Sequence, residues 1–241
     1  MPLKLWFSFD EGESWSEPFV IPGAHGIVPD RLVELSSGRW LVSAEYITSD
    51  SGKFGVYLWY SDDKGKTWSD RVTVASDRRY DLCESSLVEV QPNVVVAFLR
   101  ENSMMGYDCF KAISCDGGQS FNGVYNVPLP GCHRPTAGIL HDGRMLITYR
   151  FLQGGKPGFG SWMQNTFGAI MSRESALKVE RGEQDARIFP IDFDRSPVSD
   201  TGYTGWVQFD DDEIYMVNYL VDDAKKAFIR GSSFRTEEFL L

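Results

Sequence analysis

Three octapeptides at constant spacing constrain this chain more than any other feature. Ser8-Phe-Asp10-Glu-Gly12-Glu-Ser14-Trp15, Ser61-Asp-Asp63-Lys-Gly65-Lys-Thr67-Trp68 and Ser114-Cys-Asp116-Gly-Gly118-Gln-Ser120-Phe121 share the pattern S-x-D-x-G-x-[ST]-aromatic, and each starts 53 residues after the last. A fixed period of this length marks an architecture built from repeated supersecondary units. The box has the chemistry of a tight turn. Its Asp can bond backbone amides, its Gly supplies a positive φ, and its Ser or Thr adds a second local bond. The aromatic then pins the turn to its sheet. That reading makes the Asp structural rather than a metal ligand.

Between boxes the chain alternates short β-rich segments with turns. Val28–Leu35, Arg39–Tyr46, Phe54–Ser61 and Arg71–Ala75 form one group of four strands. Glu84–Val90, Val94–Arg100, Tyr107–Ser114 and Val124–Val127 repeat it. Arg134–Leu140, Met145–Arg150 and Phe167–Ser172 begin a third, and Tyr203–Phe209, Glu213–Tyr219 and Lys226–Phe234 a fourth. Four strands per repeat is the pattern of a β-propeller blade. The expected fold is all-β: a propeller of four-stranded antiparallel blades forming a single domain over residues 1–241. With about 50 residues per blade, it has about five blades or an incomplete six-bladed ring. Met1 falls where a third strand should run, so the expectation is a longer propeller whose start is missing here.

The register puts particular residues on one end of the ring. Seven residues on from Gly38, Asn93, Gly143 and Asp212 stand Glu45, Arg100, Arg150 and Tyr219. Six residues back from Val90, Leu140 and Phe209 stand Glu84, Arg134 and Tyr203, with Asp30 and Arg31 near the matching place in the first group. The start of a first strand and the end of a second are neighbours in an antiparallel hairpin. These residues should therefore converge beside the central channel, and the boxes should lie at the opposite end. Several arginines in a narrow channel repel one another unless a bound anion or a carboxylate sits among them.

Composition narrows the partners. The net charge of −10 argues against nucleic acid, which needs a basic stripe. No apolar run is long enough to span a membrane, and residues 1–10 lack the layout of a signal peptide, which leans the expected location toward the cytoplasm. Cys83, Cys109, Cys115 and Cys132 lack zinc-type spacing and read as buried free thiols. His25, His133 and His141 show no metal-ligand spacing, so neither a metal nor another cofactor is expected.

These residues resemble the sialidase (neuraminidase) superfamily, whose propellers carry Asp-box (BNR) repeats. Cys83-Glu84-Ser-Ser-Leu87-Val-Glu89, followed sixteen residues after Glu84 by Arg100, looks like that family's glutamate and second binding arginine. Gly202-Tyr203-Thr204 looks like the stretch that holds its tyrosine nucleophile. The resemblance implies a retaining glycosidase for sialic acid or another acidic glycan. In it a neutral tyrosine attacks beside an anionic sugar, where a carboxylate would be repelled, and a glutamate serves as its base.

Tyr203 and Glu84 are the expected catalytic residues. Arg31, Arg100, Arg134, Arg150, Gln164 and Asp30 are the expected substrate-binding ones. Gln164 or Asn165 stands where the family has its third arginine, and Arg134 and Arg150 are the substitutes. The family's first arginine and its acid/base aspartate have no equivalent here, which leaves Asp50, Asp222 and Asp223 as candidates for the acid. Two alternatives stay open: a carbohydrate-binding propeller without catalysis, and a polysaccharide lyase using His133 or a tyrosine as base. Trp162 and Trp206 are candidates for stacking on a sugar.

Overall fold

The computed structural model describes residues 1–48, 51–154 and 162–239. They form an all-β propeller ring with almost no helix. Strands β1 (Pro2–Leu5) and β2 (Phe19–His25) make a leading pair. The first blade is β3 (Val33–Glu34), β4 (Trp40–Ile47), β5 (Phe54–Ser61) and β6 (Val72–Ala75). The second is β7 (Leu82–Gln91), β8 (Val94–Glu101), β9 (Asp108–Ser114) and β10 (Asn122–Pro130). The third is β11 (Cys132–Ile139), β12 (Met145–Gln153), β13 (Met163–Met171) and β14 (Arg187–Phe193). A fourth, of three strands, is β15 (Thr201–Gln208), β16 (Ile214–Leu220) and β17 (Phe228–Phe234). Among the described residues the leading pair and the fourth blade do not join into one sheet. Strand β1 runs where the sequence placed a third strand ahead of the first box, whereas β2 and β14 escape the sequence reading, because their residues alternate weakly between apolar and polar.

Core residues fill the wedges between successive sheets. Leu41, Leu58, Leu87, Ala97, Leu99 and Phe110 belong to one cluster bridging the first and second blades. Val96, Phe98, Cys109, Cys132, Ile147 and Tyr149 bridge the second and third. Cys83, Cys109 and Cys132 are buried free thiols as expected, whereas Cys115 is exposed, since it lies in the turn of a box.

The boxes are the same bonding unit three times over. The amides of Gly12, Gly65 and Gly118 donate to the Ser8, Ser61 and Ser114 hydroxyls at 2.7, 2.8 and 2.8 Å. The amides of Ser14, Thr67 and Ser120 donate to the Asp10, Asp63 and Asp116 carboxylates at 2.9, 2.8 and 2.9 Å. The Thr67 hydroxyl and amide hold the Asp63 carboxyl down at about 2. Each box joins a third strand to a fourth, and the third box also touches the preceding blade. Arg39 of the first blade donates to the Gly117 carbonyl at 3.1 Å. In the third blade Ser172 caps a short helix, α1 (Arg173–Leu177), and Asp185 supplies the carboxylate that a box would carry.

First strands carry a second repeated feature. Cys83 pairs with Arg100 and Ser86 with Phe98, so Glu84 and Ser85 together oppose Leu99. The same single-residue bulge places Arg134 and Pro135 opposite Tyr149, and Tyr203 and Thr204 opposite Asn218. In the first blade the bridge Ile27–Glu45 and the Asp30 amide on the Ser43 carbonyl give the bulge at Val28 and Pro29. The expected strand Val28–Leu35 is correspondingly reduced to β3, because Pro29 has no amide to donate.

Gly118 tests the contact between box and blade. Its φ is +87°, and an added Cβ would lie 3.1 Å from Leu41 Cδ2. Gly118→Ala should lower unfolding stability in urea by about 1–3 kcal/mol. Gly182→Ala, where a Cβ meets open space, should leave it unchanged.

Candidate active site

The bulge explains how the site residues reach the channel. An extra residue in one strand bends it and re-aims the bulged side chain. At Glu84, φ is +42°, and at Arg134 it is +51°, both in the left-handed region that favours glycine. In the fourth blade the strained position falls on Gly202, at φ +134°, and Tyr203 follows it. Each bulge sits beside a second-strand partner in turn: Glu45, Arg100, Arg150 and Tyr219. That is the same set the sequence register picked out.

Three of these groups form one hydrogen-bonded unit. Tyr203 Oη donates to Glu84 Oε1. Arg100 Nη1 donates to Glu84 Oε2 at 2.7 Å and lies 3.4 Å from Tyr203 Oη. Arg100 Nη2 donates to Asn102 Oδ1 at 2.5 Å. Glu84 and Arg100 are buried, at 5% and 7% exposure, whereas Tyr203 keeps 38% of its surface open. The guanidinium of Arg134 stands 5.7 Å from the Tyr203 ring centroid, and that of Arg150 stands 5.3 Å away. Burial, then the bond to Glu84, pushes the Tyr203 phenol up to about 12 against the pull of Arg150 and Arg100. The phenol is therefore neutral around pH 7, with its proton already directed at a carboxylate.

Glu45 completes the cluster from the first blade. Its Oε2 accepts the Glu84 amide at 2.7 Å. Burial first, and the Glu84 charge second among the raising causes, lift its carboxyl to about 7, while Arg134 and Arg100 oppose them. Arg150 is 9% exposed, and its Nε is buried without a partner among the described residues. Arg100 Nε is buried without a partner in the same way.

Other expected site residues are engaged elsewhere. Asp30 Oδ2 accepts the Leu87 amide at 2.8 Å, and Arg31 Nη2 donates to the Ala137 carbonyl at 2.9 Å. Gln164 Oε1 accepts the Thr201 amide at 3.2 Å, and Asn165 Oδ1 accepts that of Asp194 at 3.1 Å. Asp222 is gripped by Arg195 and Arg230, at 2.6 Å each, which hold its carboxyl far below the usual range. An acid must carry a proton, so Asp222 is unsuited to that part. Asp223 pairs with Arg195 at 3.4 Å, and Asp50 lies outside the described residues. Burial, with Arg100 and Arg150 nearby, drops His133 to about 3, too weak a base to take a carbon-bound proton near neutrality. Trp206 donates to the Thr136 carbonyl and packs in the core, while Trp162 remains exposed beside Phe151.

Two contributors lay outside the sequence reading. Asn102 stands two residues beyond Arg100, on the same face, and that parity was its only signal. Asp194 accepts the amides of Ser196, Asp200, Val221 and Asp222, and so fastens together the loops that lead into β15 and out of β16. Nothing in its sequence context announces that role.

A family profile described as a BNR repeat-like domain matches residues 3–214. A protein of unknown function from Dyadobacter fermentans is similar at 25% identity and a TM-score of 0.78, over 95% of this chain and 63% of its own. NanB sialidase from Streptococcus pneumoniae is 16% identical at a TM-score of 0.67, over 98% of this chain and 36% of its own. The GH93 α-L-arabinofuranosidase of Fusarium graminearum, solved with arabinobiose, is 14% identical at a TM-score of 0.61, over 99% of this chain and 86% of its own. The chain thus spans less than two thirds of the first two structures. The likeness to the two enzymes is one of fold. No curated protein matches the chain.

Two outcomes test the cluster itself. Arg100→Leu strands a buried carboxylate and should cost about 3–5 kcal/mol in chemical denaturation, much of it recovered when Glu84→Leu is added. The raised Glu45 carboxyl keeps its proton in the folded chain after the unfolded chain has lost it, from about pH 4.5 to about 7. Its contribution to stability therefore falls as pH rises through that window. Stability curves should show Glu45→Gln gaining on the wild type over the same range.

Proposed function

The chain belongs to the BNR repeat-like domain family, and on that footing we propose that its channel mouth is a glycosidase site of sialidase type for an acidic sugar. Tyr203 is the nucleophile and Glu84 its base. Arg100, Arg134 and Arg150 bind the substrate carboxylate. Arg31, Asp30 and Gln164, tied to neighbouring main chain, belong to the scaffold in this reading. The observation that carries it is the bond from Tyr203 Oη to Glu84, with two guanidiniums beside the phenol ring.

The chemistry follows from that arrangement. Tyr203 Oη attacks the anomeric carbon as its proton passes to Glu84, and the bond from that carbon to the leaving oxygen breaks. Water then adds to the anomeric carbon and displaces the tyrosine: Glu84 returns its proton to the phenolate oxygen, and the attacking water gives up its own proton to bulk water. A phenol raised to about 12 is a poor nucleophile until a base takes its proton, so Glu84 must act in the same step. The arginines stay ionised throughout and fix the sugar by its carboxylate. Among the described carboxyls already placed, Asp222 is held as an anion, so a natural leaving group draws its proton from another source.

An aryl sialoside tests the tyrosine half alone, because a good leaving group departs without protonation. Turnover by the wild type should vanish in Tyr203→Phe, and Glu84→Gln should slow it by about 10²–10⁴-fold. No turnover by the folded wild type, together with binding of free sialic acid, would instead make this a carbohydrate-binding propeller. An aryl arabinofuranoside run in parallel reports whether an uncharged sugar is accepted.

A further inference from the structure

The strain at Glu84 needs an explanation that the Tyr203–Glu84 pair does not supply. A non-glycine residue in the left-handed region persists only where its surroundings over-determine it. At Glu84 the surroundings come from the blade before it. Glu45 Oε2 takes the Glu84 amide at 2.7 Å, the Ser43 hydroxyl meets the Ser85 hydroxyl at 2.9 Å, and Asp30 Oδ2 takes the Leu87 amide at 2.8 Å. Three polar side chains of one blade thus hold the bulge of the next.

Glu45 is the notable member of the three. It occupies the register position that holds Arg100, Arg150 and Tyr219 in the other blades, and it is 3% exposed. A carboxyl there is out of water and beside a like charge, an arrangement that is unfavourable without a specific partner. The Glu84 amide is that partner. We propose that Glu45 is a positioning residue for the Tyr203–Glu84 pair, fixing the Glu84 backbone so that its carboxylate faces the phenol. The part of this proposal that concerns catalysis rests on the glycosidase reading above. The backbone linkage does not.

Ionisation gives the linkage a signature. The groups facing the Glu45 carboxyl are Glu84 and Cys83 of β7, Arg100 of β8 and Arg134 of β11. Below about pH 7 Glu45 is neutral, and the arginines keep their full charge toward a ligand. Above it, a second carboxylate beside Glu84 offsets part of that charge and weakens the hold on an anionic sugar.

The experiment uses the whole chain labelled with ¹³C at glutamate side-chain carboxyls, the Glu84 signal being assigned by its loss in Glu84→Gln. Between about pH 5 and pH 6 the wild type and Glu45→Gln both present a neutral acceptor to the amide, so the Glu84 signal should coincide in the two. In Glu45→Ala it should be displaced, with thermal melting confirming that the variant is folded. An unmoved Glu84 signal in Glu45→Ala overturns the proposal. So does equal displacement in Glu45→Gln and Glu45→Ala, because the acceptor would then not be the link. With aryl sialoside, Glu45→Ala should lower kcat at least tenfold and Glu45→Gln should restore it. The wild-type KM should rise as pH passes about 7, and that of Glu45→Gln should stay level. The expected carboxyl signals without any wild-type turnover would sink the glycosidase reading and leave the positioning role standing.

Discussion

One extra residue in the first strand of each blade organises this molecule. Without the bulge, period-two alternation would send residues such as Glu84 and Arg134 into a sheet face, where the wedges between blades are packed with aliphatic side chains. The bulge breaks the ladder at the place where the strand nears the channel. It frees a polar side chain to lean across the opening while its neighbours keep their core positions. The price is backbone strain, and the strain is met by bonds from adjacent blades. At Glu84 these are Glu45, Ser43 and Asp30. At the fourth blade they are Thr136 and Thr148, which donate to the Thr204 carbonyl and hydroxyl at 2.8 and 2.7 Å.

The two ends of the propeller therefore carry different kinds of polar chemistry. At the box end the bonds are mostly local, Ser, Asp and Gly within eight residues satisfying one another, with Arg39 to the Gly117 carbonyl as a bond between blades. At the channel mouth the bonds run between blades and over long sequence separations, 103 residues for Arg100 to Tyr203 and 119 for Tyr203 to Glu84. A local turn can be conserved in form by its own residues. A long-range cluster exists only when every blade is in register, which ties the site to the integrity of the ring.

This difference also decides what could be read from the sequence. The boxes were legible because their bonds lie within an octapeptide, and they fixed the blade register. Counting from the hairpin turns then found Glu84, Arg100, Arg134, Arg150 and Tyr203, since bulges at matching places preserve the count from one blade to the next. The first blade broke the pattern. Its bulge falls at Val28 and Pro29, so Asp30 and Arg31 lie beyond the register position and turn to main-chain groups of other blades. Asp222 looked available because loops after second strands open toward the mouth. Its pairing with Arg195 and Arg230 joins segments that the sequence gives no reason to bring together.

The register predicted a clash of arginines that a bound anion or a carboxylate would relieve, and carboxyl groups of the chain itself relieve most of it. Arg100 has Glu84 at 2.7 Å. Arg134 stands near enough to Glu45 and Asp30 to lower both carboxyls against the burial that raises them. Arg150 lies over the Tyr203 ring and interacts with the Tyr219 phenol, and its Nε, like that of Arg100, is buried without a partner among the described residues. At Arg100 a further carboxylate would compete with Glu84, which already holds that guanidinium. The positive charge of the cluster is thus matched mainly by carboxyl groups of the chain itself.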